Sequence, residues 1–132
     1  MKAGTACLRF FGVDLDPSEL EEKLGSPASK SWTGSELWSD AGQLSLRGHK
    51  GWILNCDWSA AQPLELQVET LFAELNPDLS VWQALTSRHH ADIFCGVFLG
   101  GRTGTSLWPA QTLKEVVARG LSLNLCIFDA SR

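Results

Sequence analysis

No apolar run in this sequence reaches the roughly 20 residues that a membrane helix needs, and Met1 to Cys7 lacks the apolar core of a signal peptide. The expected location is therefore the cytoplasm, with no membrane partner. No Cys-x-x-Cys pair is present either. Cys7, Cys56, Cys95 and Cys126 lie far apart, and three of them sit inside apolar strand-like segments, so they read as reduced, buried small residues. No zinc or redox cofactor is expected from them. Basic residues are also scarce, 11 Lys and Arg against 15 Asp and Glu for a net charge of −4. That balance keeps a small domain soluble and disfavours phosphate-backbone contacts, which argues against a nucleic-acid partner. The nearest approach to a basic cluster, Arg47, His49 and Lys50, is too small for such a footprint. Tyrosine is missing altogether, while tryptophan occurs six times. This imbalance is the main compositional anomaly.

What is present describes an ordinary globular chain. With 44% hydrophobic and 20% charged residues in 132 positions, residues 1–132 read as one domain that buries roughly 65–70% of its unfolded surface. Ala6 to Val13 is apolar on both parities, as in a strand covered on both faces. Asp16-Pro17-Ser18-Glu19 then opens a short helix, with Asp16 as cap, Pro17 at the first helical position and Glu19 completing a capping box. Leu15 can staple onto Leu20, and Gly25 ends the helix in the left-handed conformation.

A short strand is expected around Ser31-Trp32-Thr33, followed by a loop or ragged edge from Glu36 to Lys50. Gly51 to Ser59 alternates as a half-buried strand with Trp52, Leu54, Cys56 and Trp58 on one face. Leu64 to Leu75 has helical spacing, and a second helix restarts with Pro77 in its first turn and His89 and His90 at its end. Asp92 to Leu99 reads as a central strand. A further short strand is expected near Thr105 to Leu107, then a helix from Pro109 to Arg119 and a last strand from Leu121 to Asp129. Leu121, Leu123, Leu125 and Ile127 should face the helices.

This order predicts an α+β two-layer sandwich, a mostly antiparallel sheet with helices on one face, related to the ferredoxin-like or split β-α-β layout. The segments Phe10 to Gly25 and Phe98 to Gly120 echo each other, each a strand leading to a proline-started, glycine-stopped helix. An imperfect duplication would produce that echo.

The chain resembles a bacterial family of small α+β domains, the domain of unknown function 4279 family. The resemblance runs along nearly the whole length and rests on Leu8-Arg9-Phe10-Phe11-Gly12, Asp16 to Leu20, Leu24-Gly25-Ser26-Pro27, Gly51-Trp52 and the Leu113 to Phe128 helix-strand pair. In such domains the tryptophan strand leads to a short basic-Gly-acidic turn. Here Ser31-Trp32-Thr33-Gly34-Ser35-Glu36 has its basic residue displaced to Lys30. The resemblance implies the fold and brings no activity.

Several residues suggest chemistry, and each has a plain structural explanation. Gly100 to Ser106 could cradle a phosphate with Arg102, Thr103 and Thr105, and with Arg9 on a neighbouring strand, but it lacks P-loop spacing and the P-loop lysine. His89, His90 and Asp92 could ligate a metal, yet adjacent histidines at a helix end usually diverge and suit the helix dipole instead. Cys56 or Cys95 with a histidine has no nucleophile signature. Glu19, Glu21 and Glu22 oppose the positive end of a helix. The reading that follows is a non-enzymatic binding or interaction domain with Trp32, Trp52 and Trp58 near the centre of an aromatic sheet face. The alternatives are a small enzyme or sensor for a phosphorylated ligand at 100–106, an immunity or antitoxin-like acidic protein that neutralises a basic partner, and a homodimeric structural module.

Overall fold

Alternating apolar residues need cover, and the described residues supply it with a five-stranded sheet carrying four helices on one side. The computed structural model describes residues 4–33, 50–56, 62–99 and 103–128. Within them the elements run β1 (Thr5–Gly12), α1 (Pro17–Leu24), β2 (Lys30–Trp32), β3 (Lys50–Asn55), α2 (Leu64–Glu74), α3 (Leu79–Arg88), β4 (His90–Phe98), α4 (Ala110–Ala118) and β5 (Ser122–Phe128). The strand order is β2-β3-β1-β4-β5. Every neighbouring pair is antiparallel except β4 with β5.

This is the α+β arrangement the sequence predicts. The unit β1-α1-β2 is split by β3, and β3-α2-α3-β4 is split by β1, which is the ferredoxin-like interleaving. The unit β4-α4-β5 is then appended with adjacent parallel strands. The echo between the first and last strand-helix segments thus reaches local structure only, because one unit is split and the other is not.

Local signals account for most boundaries. Asp16 accepts from the Ser18 amide at 3.0 Å and Gly25 takes φ 88° after the last turn. Only a residue without a Cβ adopts that conformation freely. Glu19 does something other than close a capping box, since its carboxylate meets the Arg88 guanidinium of α3 at 2.8 Å. The second helix of the middle pair starts one step later than expected, with Asp78 as its cap and Pro77 ahead of it. Residues 103–109 hold no strand, so the short strand expected near Leu107 does not form. Most of the loop expected from Glu36 to Lys50 lies outside the described residues, and Lys50 itself begins β3.

The main core lies between sheet and helices. Leu8, Phe10, Trp52, Ile93 and Cys95 of the strands meet Leu20, Val68, Trp82, Leu85 and Val116 of the helices there. Phe10 and Trp52 are packed edge to face at 5.9 Å, as are Phe72 and Trp82 at 5.8 Å. Each such pair contributes about 0.5–1.5 kcal/mol beyond its area burial. Strand β1 occupies the middle of the sheet, and β4, expected to be central, is an interior strand beside it.

Candidate functional site

On β1 the residues Ala6, Leu8 and Phe10 point to the helices, so Cys7, Arg9 and Phe11 must point the other way. That opposite face is where the sequence placed its tryptophan surface. Trp32 is on it, packed with Phe11 and Ile53 in a second, smaller buried cluster. Its ring lies so close over Gly51 that a Cβ there would overlap it. Trp52 is a correction: it is fully buried on the helix side, because its β3 parity matches Leu54 and the main core. Trp58 and Arg102 lie outside the described residues. Thr103 and Thr105 are exposed in a segment without regular structure.

The centre of this face is polar and already withdrawn from solvent. Arg9 on β1 and Asp92 on β4 are paired in register. Nε of Arg9 donates to Oδ1 at 2.8 Å and Nη2 to Oδ2 at 2.7 Å. The residues are 3% and 1% exposed. Asn124 of β5 also donates to Asp92, at 3.4 Å, and His90 Nε2 stands 3.8 Å from it. The guanidinium carbon sits 4.2 Å from the Phe94 ring centre and 5.1 Å from that of Phe11. A bidentate guanidinium fits a carboxylate in one plane, and the flanking rings shield the pair. Sequence reasoning mentioned Arg9 only beside a phosphate loop. The signal for this pair was a charge standing between Leu8 and Phe10 in a strand otherwise apolar on both parities.

The other suggested chemistries come out as follows. Burial pushes the thiols of Cys7, Cys56 and Cys95 up to about 12. Such groups stay neutral near pH 7 and are poor nucleophiles. His89 is buried at the C-cap of α3 against Gly12, and neither ring nitrogen has a hydrogen-bond partner among the described residues. Burial first, and Arg88 second, hold its pKa below the usual histidine value. The cation at that helix end is therefore Arg88 rather than His89. Among the described residues no three His, Cys, Asp or Glu side chains are grouped to hold a metal ion.

One surface stands out that sequence reasoning did not single out. Strand β5 ends the sheet and pairs, among the described residues, with β4 alone. In this parallel register Leu123, Leu125 and Ile127 lie beside Ile93, Cys95 and Val97, on the helix side. They do face the helical layer, as their parity predicts, but α4 does not cover them: they remain 37%, 50% and 59% exposed. On the same side Leu113 and Val117, one turn apart on α4, are exposed as well. On the other side Phe98 and Phe128 stack at 4.9 Å, with Phe98 exposed. The helix-side face of this edge is thus apolar and open, while the other carries Ser122, Asn124, Cys126 and Phe128.

Comparison with known families decides the kinship. A family model described as Domain of unknown function (DUF4279) matches residues 2–130. The chain belongs to that family. No curated protein and no solved structure matches the chain. The match takes in Arg9, Asp92 and the whole of β5, so the buried pair and the open edge both lie within the DUF4279 domain. No helix among its described residues is long and apolar enough to cross a membrane.

Proposed function

We propose that this DUF4279 domain is a non-enzymatic protein-interaction module, and that it works by adding a partner strand to the outer edge of β5, the last strand of the sheet among the described residues, the partner being a second copy of the chain. The observation that carries this reading is the composition of that edge. Ser122 to Phe128 is seven residues long without one charge, and its three helix-side apolar residues are 37–59% exposed. An edge strand offers a row of unpaired amide and carbonyl groups, and proteins ordinarily blunt it with charge, proline or brevity.

Two β5 strands meeting antiparallel about a two-fold axis would join the edge hydrogen bonds and bring both rows of leucine and isoleucine together. Such an interface is self-complementary and closes at two copies. The aromatic sheet face supports the reading less, because its centre is filled by the Arg9–Asp92 pair and Trp52 lies on the other side.

Sedimentation equilibrium over a wide concentration range tests the proposal. The expected mass rises from the 14.4 kDa of one chain toward twice that value. A mass of one chain at every concentration would sink it.

A further inference from the structure

Each residue of a β-strand points its own N–H and C=O to the same edge, and successive residues point to opposite edges. The Phe128 carbonyl accepts from the Leu99 amide at 2.9 Å, so Phe128 faces β4. By alternation Cys126, Asn124 and Ser122 face β4 as well, while Leu123, Leu125 and Ile127 turn their amides and carbonyls to the outer edge. The same three residues carry the exposed helix-side side chains.

Helix α4 continues this apolar edge into the helical layer. It packs on α2 and on β5, with Val116 buried beneath it and Glu115 and Arg119 lining the groove toward α2. Successive residues lie about 100° apart around a helix, so Leu113 and Val117 project from the flank opposite Glu115, on the side of the outer edge. They are 40% and 73% exposed.

We infer that two copies join in a single register, with Leu125 on the two-fold axis, and that the α4 flanks of Leu113 and Val117 face one another across the joined strands. This rests on the reading of β5 as a self-pairing edge. Identical antiparallel strands are related by an axis perpendicular to the sheet, so both α4 helices lie on the same side. An axis between two residues would oppose an outward-facing residue to one that faces β4, and no hydrogen bond would form. An axis at Asn124 joins only Ser122 to Cys126 of β5, and one at Cys126 joins only Asn124 to Phe128. The axis at Leu125 joins the whole of Ser122–Phe128. Leu125 then meets Leu125 of the other copy and Leu123 meets Ile127, each as a hydrogen-bonded pair with its side chains on the helix side. On the other face Asn124 stands opposite Cys126.

Cross-linking of the full chain with diamide reads the register, each disulfide forming as two thiols pass two electrons and two protons to the oxidant. Opposed residues of a non-hydrogen-bonded pair have Cα atoms about 4.5 Å apart, within the roughly 4.4–6.8 Å that a disulfide spans. Asn124→Cys is therefore expected to give a dimer linked through Cys126 of the other copy, and adding Cys126→Ser should abolish it. The unaltered chain should stay unlinked at Cys126, since its two copies of that residue are diagonal neighbours about 7–8 Å apart, beyond disulfide reach. Val117→Asp sets two carboxylates facing each other and should weaken association about tenfold or more. Its melting temperature at low concentration should hold, because Val117 is so exposed.

Sedimentation equilibrium of the unaltered chain under reducing conditions separates the two readings. A single-chain mass at every concentration overturns both. If the chain associates, the register alone is overturned when the unaltered chain links through Cys126, when Asn124→Cys stays unlinked, or when Asn124→Cys with Cys126→Ser still links. The part given to α4 is overturned if Val117→Asp associates as tightly as the unaltered chain.

Discussion

Among the described residues strands β2 and β5 both end the sheet, but β2 is three residues long and begins with Lys30, whereas β5 runs seven residues with none of its side chains charged. The first edge carries two of the devices that keep strands from pairing with strangers, brevity and a lysine, and Pro27 precedes it by only three positions. Its single large residue, Trp32, is folded inward over Gly51. The second edge has neither device, and its helix-side apolar residues Leu123, Leu125 and Ile127 stay exposed. Solubility alone would select against such a strand. The contrast points to β5 as a surface whose use offsets that liability.

The largest expected effect comes from breaking what both edges depend on, the β1–β4 centre. Replacing Asp92 by Ala leaves the Arg9 guanidinium buried without its carboxylate, and should cost about 3–5 kcal/mol in urea unfolding. A loss below about 1 kcal/mol would mean that the centre is not what holds the two halves together.

Next comes the open edge itself. Leu125→Lys places a charge in the exposed apolar row, so it should hold the protein at the mass of one chain at every concentration. Its stability at low concentration should shift by no more than about 0.5 kcal/mol, since Leu125 is half exposed. Continued association of this variant would remove β5 from the interface.

The mirror experiment is smaller. Lys30→Val strips β2 of its charge, but three residues offer too little pairing to matter, so neither mass nor stability should move measurably. Association of this variant through β2 would show that the lysine, rather than strand length, sets the difference between the edges.

A further expected effect concerns pH. The pKa of His89 is lowered in the folded protein, so the unfolded chain binds more protons through histidine titration. Stability is then fully present above about pH 6.5 and declines as pH falls below it toward the folded value. Melting temperatures between pH 7.5 and 5.5 should show that slope, and His89→Gln should flatten it. An unchanged slope would assign the acid sensitivity to other groups.

Much of this architecture was legible before any coordinates, because parity and capping are local. Asp16, Pro17 and Gly25 delimit α1 through interactions within a few residues, and the strands announce themselves by alternation. What escaped the sequence depends on partners distant along the chain. Alternation separates Trp52 from Ile53 but cannot say which parity the helices cover. Arg9 and Asp92 are 83 positions apart, so nothing local ties one to the other. The exposure of Leu125 follows from where α4 happens to lie, which no periodicity in β5 records.

Strand β1 has one more consequence, and it concerns time. It precedes the other four described strands along the chain, yet it sits in the middle of the sheet with β3 on one side and β4 on the other. Its second flank cannot be supplied until the chain through Phe98 has left the ribosome, and non-local pairings of this kind are slow to form. Until then an apolar strand must wait with one hydrogen-bonding edge open. The growing chain is therefore most open to misassociation while β1 waits for β4.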